Sequence, residues 1–590
     1  MAVRRPVWRP VMGDPRGLSE IVTERPSPNR RGALYCRSKS TGAWGLMMLK
    51  LITLGLGGLL AASEACAAPP NYDDIQTIVV IYAENRSFDN LYGTFPGANG
   101  LVNAPPAAVT QLDRDGKPMR GLPAIWGGTG AKVMQGAPVA PVAITQGQSA
   151  IFLSSFNHPY DVAALYQVGG PANTDPLRYT NRDLYHRFYE NQMQINGGAN
   201  NMFAAWADSG GMTMGYFTPA READLPLWDW AHEYVLADNF FQGAFGGSFL
   251  NHFFLICSCV PLYGHGGINP NGGANPSVSV VNPDGVTLTT APNSPASALD
   301  GPPVFALSGN LTPDFYAINT MMSPYPPSGN AVVAEQRVPQ QVVDLKSATT
   351  LVPQTETTIG DLLSKAGVGW AYYAGAWNFA LSHPPFAAGQ SLALPDFQYH
   401  HQPFNYFAAF DPSTPEGVRN RAAHLLDAGV VTDPTVLPES RFLTDIRAGS
   451  LPPVTFYKPQ GSVNEHASYS SVSDGDHHIA ALLAALKASP QWDHMLVVVT
   501  YDEFGGWWDH AAPPKADRWG PGTRVPALIV SPFAKMGTVD HTQYDTSSIL
   551  RFITNRWKLP VLPGLATRDA ALAANGLPTM GDLTEALQLP

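Results

Sequence analysis

Apolar residues along this chain gather in short β-branched runs, separated by segments of helical period. "TIVVIYAEN", from Thr77, and "HMLVVVTYDE", from His494, are nearly continuous apolar stretches, the pattern of strands buried on both faces. Runs at "EYVLADNFF", "GVGWAYYAG", "PPVTFYKP" and "TRVPALIVSPFA" predict further strands, with the last of these closing the series. Between them "LPLWDWAHEY", "TTIGDLLSKAG", "HHIAALLAALKAS" and "TSSILRFITNRW" predict helices. The alternation predicts an α/β fold: a mostly parallel central sheet with helices on both faces and any ligand beyond the carboxyl ends of the strands. Two regions break the pattern, residues 100–180 and 262–355, both poor in charge and rich in Gly, Pro and Asn. They read as loop or cap insertions within a single domain spanning 68–590.

The amino-terminal stretch changes what is counted. "MMLKLITLGLGGLLAASEACAAPP" joins a Lys to a Gly-rich apolar run and closes on Ala65-Cys66-Ala67, the pattern of a secretory signal over about residues 47–67. Residues 1–46 read as an over-called start or a long leader; Arg30-Arg31 fits a twin-arginine signal poorly, and Cys66 a lipoprotein anchor poorly. The mature chain is then expected to be secreted or periplasmic, with no stable membrane anchor. The whole sequence has a formal charge of −11; beyond residue 67, 26 basic residues face 43 acidic ones, a charge of −17. Such a surface argues against nucleic acid as a partner, but not against a small phosphate ester in a locally positive pocket. Cys257 and Cys259, the cysteines beyond residue 67, are expected to be two buried thiols, because a bridge across one residue is strained.

Candidate chemistry lies at the strand ends. Glu84-Asn85 follow the first strand and Asp502-Glu503 follow "HMLVVVTY". Adjacent carboxylates at the mouth of a core repel and are costly to desolvate, so a positive partner is required. Three carboxylates and an amide oxygen suit a divalent metal: Mg²⁺, Ca²⁺ or Mn²⁺, with Zn²⁺ or Fe admitted if His joins. In "FQGAFGGSFLNHFFLIC" three glycines precede Ser248 at a helix start, where backbone amides face an anion and a hydroxyl can project. The ordinary alternative is that Ser248 caps the helix. Of His186, His400, His401 and His466, several lie in Gly, Asn and Pro contexts that suit a site, whereas His477-His478 are expected to open a structural helix beside an Asp476 cap.

"ENRSFDNLYG", "FLNHFFL", "NEHASYSSVSDGDHH" and "YDEFGGWWDHAAPP" together resemble the bacterial phosphoesterase family of secreted phospholipases C and acid phosphatases, on the alkaline-phosphatase-like fold. The resemblance implies one divalent metal on Glu84, Asn85, Asp502 and Glu503, and Ser248 as the nucleophile of a phosphoserine-type intermediate. It implies that His186, His400 and His466, with His401 and His510, contact the phosphoryl group or protonate the leaving oxygen. Ser248, where the phospholipase C branch resembles a pattern with Thr, points to an acid phosphatase acting on phosphomonoesters. Phospholipase C action on phospholipid head groups is the alternative, and a non-catalytic phosphate-binding protein the reading from another class. Cys259 to Tyr263 resembles the start of a sulfatase signature, but Tyr263 stands where that signature has Arg.

Overall fold

The computed structural model describes residues 71–130, 143–170, 175–219, 224–266, 268–333, 341–382 and 397–589. The expected signal and extension, residues 1–67, lie outside the described residues. Eight strands form the main sheet: β1 (Thr77–Ala83), β2 (Val235–Ala237), β3 (Trp370–Ala374), β4 (Leu425–Asp427), β5 (Val454–Lys458), β6 (Met495–Tyr501), β7 (Ala527–Val530) and β8 (Thr538–Asp540). Their order is β8-β2-β7-β6-β1-β5-β3-β4. β7 runs antiparallel to both neighbours, and every other pairing is parallel. β1 and β6, the two most apolar runs, lie side by side at the centre and are buried at every position.

The helices include α1 (Phe88–Tyr92), α2 (Pro226–Glu233), α3 (Ser248–Cys257), α4 (Ile359–Lys365), α5 (Val472–Lys487) and α6 (Thr546–Arg556). Successive strand side chains point to opposite faces, so two tyrosines show that helices cover both. The Tyr82 hydroxyl donates to the Asn251 carbonyl of α3. Tyr457 is in register with Ile81, hence on the other face, where its hydroxyl meets His478 of α5.

Three elements depart from expectation. "EYVLADNFF" breaks after Ala237, because the Asp238 carboxylate leaves the ladder to accept from Asn99 N and to pair with His541; Phe240–Phe241 then forms a separate ladder with Tyr544–Asp545. "TRVPALIVSPFA" is not the last strand, since β8 adds to the edge beside β2, a three-residue piece too short to register as a period. Helix α5 begins at Val472 under a Ser471 cap, so His477 and His478 lie inside it. Asp476 caps α2 instead, accepting from Leu227 N at 2.9 Å.

The two cysteines are joined in a disulfide, which corrects the expectation of free thiols. The cause is local: α3 ends at Cys257, Ser258 turns left-handed (φ 49°), and the chain doubles back until the two Cα atoms are 5.1 Å apart. Cys259 is therefore unavailable for the sulfatase-like role suggested by its surroundings. The insertions are tied down by side chains: Arg187 gathers the Ser308 and Gly309 carbonyls and Asn310 Oδ1. No helix among the described residues is long and apolar enough to cross a membrane.

Candidate active site

Register brings the two acidic pairs together. Ala83 is paired with Tyr501, so Glu84-Asn85 and Asp502-Glu503 emerge side by side from β1 and β6, and all four are fully buried. Asn85 takes a left-handed conformation (φ 66°), which Asn tolerates, and its N–H donates to Asp502 Oδ1 at 3.1 Å. Glu503 N donates to the same oxygen at 2.8 Å. Gly505 must be glycine: its φ is +63°, and a Cβ would stand 2.2 Å from the Asn85 carbonyl.

The positive partner demanded by these carboxylates is Lys458, the last residue of β5. Its ammonium is fully buried, 2.7 Å from Glu84 Oε1 and 3.0 Å from the Tyr82 carbonyl. His401 Nε2 lies 2.5 Å from the same Glu84 oxygen, and Asn464 Nδ2 donates to Oε2 at 2.8 Å. Burial alone would raise the Glu84 pKa, but His401 and Lys458 outweigh it and hold the carboxyl well below its ordinary value. Asp502 has less compensation, and burial pushes it up to about 7.

Ser248 opens α3, but Gly247 is the N-cap and no side chain caps the helix. The hydroxyl instead donates toward Asn85 Oδ1 and Glu503 Oε1, each 3.3 Å away. The glycine approach is steric: at Gly246 (φ +84°) a Cβ would lie 2.4 Å from Phe188 N. A cavity of about 190 Å³ opens over the hydroxyl, lined by Ser248, His186, His400 and His466 with Asp183, Arg187, Gln398 and Tyr469.

The histidines divide. His186 Nδ1 is fixed at 2.6 Å by the Leu184 carbonyl, leaving Nε2 3.4 Å from Asn85 Nδ2 and 3.8 Å from Glu503 Oε1. His466 Nδ1 faces the Ala467 carbonyl while its ring lies against Tyr469 and edge-on to His186. His400 lines the cavity, whereas His401 sits behind it against Glu84. His510 belongs to another cluster: Nδ1 meets Asp89 at 2.6 Å, and Arg524 joins Asp89 to Asp509. None of the cavity-lining residues is among His510's hydrogen-bond partners.

Burial opposes charge on His186, yet Glu503 and Asp183 outweigh it and lift its pKa from 6.5 to about 9. In the metal-free protein its raised pKa contributes stability that is complete below about pH 6.5 and is lost as pH climbs through about 9. Denaturant unfolding from pH 6 to 10 should therefore show the wild type losing stability toward His186→Gln. Parallel profiles would contradict this.

Lys458, Asn464, Asp183 and His252 were not singled out from the sequence. Lys458 had a signal, a cation ending an apolar strand, and His252 another, one helical turn beyond Ser248. The donors suit a divalent ion: Asp502 Oδ2 and His252 Nε2 are buried without a partner, and Glu84, His252 and Asp502 each offer an atom within 4.8 Å of the others.

A hydroxyl and imidazoles lining one polar cavity, with convergent carboxylates buried behind the hydroxyl, suit phosphoryl transfer, and the family match makes this protein a phosphoric ester hydrolase. Residues 75–560 match the Phosphoesterase family, and the chain belongs to it. It is similar to phospholipase C B of Mycobacterium tuberculosis, 24% identical over 557 residues, covering 89% of this chain and 79% of that protein. A non-hemolytic phospholipase C of Burkholderia pseudomallei is 27% identical over 39% of this chain and 35% of its own. Among solved structures, a murine ectonucleotide pyrophosphatase/phosphodiesterase 5 covers 58% of this chain and 92% of its own, at 10% identity and a TM-score of 0.26. The mostly parallel sheet with helices on both faces, expected from the alternation of strands and helices, is the fold the chain adopts.

Proposed function

We propose that this protein is an exported, metal-dependent phospholipase C that hydrolyses the phosphodiester of phospholipid head groups. The similarity to phospholipase C B along 89% of the chain carries the reading. It takes precedence over the acid phosphatase expected from Ser248, because the curated relatives named above are phospholipases C. Phosphomonoester hydrolysis is the second reading, favoured by the small, His-lined cavity. The Cys257–Cys259 disulfide supports export to an oxidising compartment.

Glu84, Asn85, Asp502 and Glu503 would hold the metal. A bound divalent ion there neutralises phosphoryl charge and lowers the pKa of a neighbouring hydroxyl. Ser248 Oγ, steered by Asn85 and Glu503, attacks phosphorus in line as its proton passes to Glu503 Oε1. His186, fixed through Nδ1, directs Nε2 at a phosphoryl oxygen. His186, whose pKa is raised, gives the Nε2 proton to the departing alkoxide, while His400 and His466, held below the ordinary imidazole value by burial, line the phosphoryl group as neutral rings. Water, passing its proton to His186, then hydrolyses the phosphoserine, freeing Ser248 and the phosphorylated head group.

Turnover of phosphatidylcholine and p-nitrophenyl phosphate at matched concentrations, before and after EDTA, tests this. The expected result is faster release of phosphocholine than of nitrophenol, with both abolished by chelation. Dominant nitrophenol release would return the assignment to a phosphomonoesterase.

A further inference from the structure

His252 has no part in that scheme, yet it is fully buried on α3, one turn beyond the nucleophile. Its Nδ1 lies 2.7 Å from the Ser248 main-chain carbonyl. A carbonyl only accepts, so Nδ1 carries the proton and Nε2 presents a lone pair. Nothing donates to it: Nε2 is buried and unpartnered. The neighbouring Asp502 Oδ2 is in the same position, 3.8 Å from His252 Nδ1. One atom each of His252, Asp502 and Glu84 lie within 4.8 Å of one another. Two lone-pair bearers cannot satisfy each other, and buried polar atoms are rarely left unpaired. The Asp89–Asp509–His510 cluster differs, because with Arg524 across both carboxylates none of its side-chain atoms is left buried and unpartnered.

We propose that His252 is a direct metal ligand through Nε2, giving a mixed imidazole–carboxylate site with Asp502 and Glu84. The site then prefers Zn²⁺ or Fe over Mg²⁺, Ca²⁺ or Mn²⁺, since imidazole suits the former and all-oxygen sets the latter. This rests on the reading that the site holds a metal. The Ser248 carbonyl supplies the outer hydrogen bond that fixes tautomer and ring orientation in metal-binding histidines. One residue thus orients the ligand with its backbone and carries the reacting hydroxyl on its side chain.

The test strips the purified chain of metal, titrates it with Zn²⁺ and Mg²⁺, and records the pulsed electron paramagnetic resonance of the Mn²⁺-loaded form. The wild type should show ¹⁴N modulation from imidazole, and His252→Gln should lose it. Outer-shell changes cost about 10–100-fold in affinity, so Zn²⁺ binding by His252→Gln should weaken by about 100-fold or more while Mg²⁺ binding barely moves. A wild type without ¹⁴N modulation, or a variant with intact Zn²⁺ affinity, overturns the proposal. If His252→Gln does not fold by near-ultraviolet circular dichroism, His400→Gln and His401→Gln decide: the modulation must survive in both, and its loss in either overturns the assignment. A wild type that binds no divalent ion, indistinguishable from Asp502→Asn, defeats the metal reading itself, and the proposal with it.

Discussion

Ser248→Ala is expected to reduce phosphoester turnover about 10³-fold or more while leaving the fold intact. Loss of a nucleophile removes the covalent route and leaves only binding and electrostatic stabilisation, a residual that lies orders of magnitude below the intact enzyme. The fold should tolerate the change because the hydroxyl caps nothing: Gly247 is the N-cap, and Ser248 Oγ faces Asn85, Glu503 and Asp502. The carbonyl that contacts His252 is kept by alanine. Steady-state rates beside thermal unfolding curves check both halves. An active variant would make Ser248 a bystander, and an unfolded one would make it structural.

Lys458→Met should have the largest effect on stability. It leaves Glu84 buried with a histidine and an amide in place of a fixed cation. Breaking a buried ion pair from one side typically costs about 3–5 kcal/mol. The pH dependence follows from Glu84, whose folded pKa is held below its ordinary 4.5. Its stabilising contribution is present above that value and lost as pH falls through the folded pKa. In metal-free protein the gap between wild type and variant should therefore be widest at neutral pH and close below about pH 4.5. Urea unfolding at several pH values measures this, and pairing Lys458→Met with Glu84→Gln should restore part of the loss. A gap that ignores both pH and the second substitution would mean that only packing was lost.

Glu84 was legible in the sequence, as were Asn85, Asp502, Glu503, Ser248 and the cavity histidines. The acidic pairs stand at the ends of strongly apolar runs, Ser248 behind a glycine approach, and His400 and His466 in segments with Pro, Asn or Gly, and such signals are local. The two central strands declared themselves because burial on both faces leaves no polar position to blur the pattern. The short edge strands did not, since three residues carry no period. Lys458 carries a weaker signal, because a lone cation ending a strand is usually solvated.

Sequence by itself determined the α/β layering, the acidic strand ends and the family. Tertiary structure decided which charges meet. It set Lys458 between Glu84 and the Tyr82 carbonyl, sent His510 to the Asp89–Arg524 cluster, and turned the Ser248 hydroxyl away from capping. It also closed the Cys257–Cys259 bridge through one left-handed residue. Side-chain periodicity reports which face of an element is buried, while pairing across a sheet depends on register between segments hundreds of residues apart. That register, Ala83 beside Tyr501, is what makes one site of two acidic pairs.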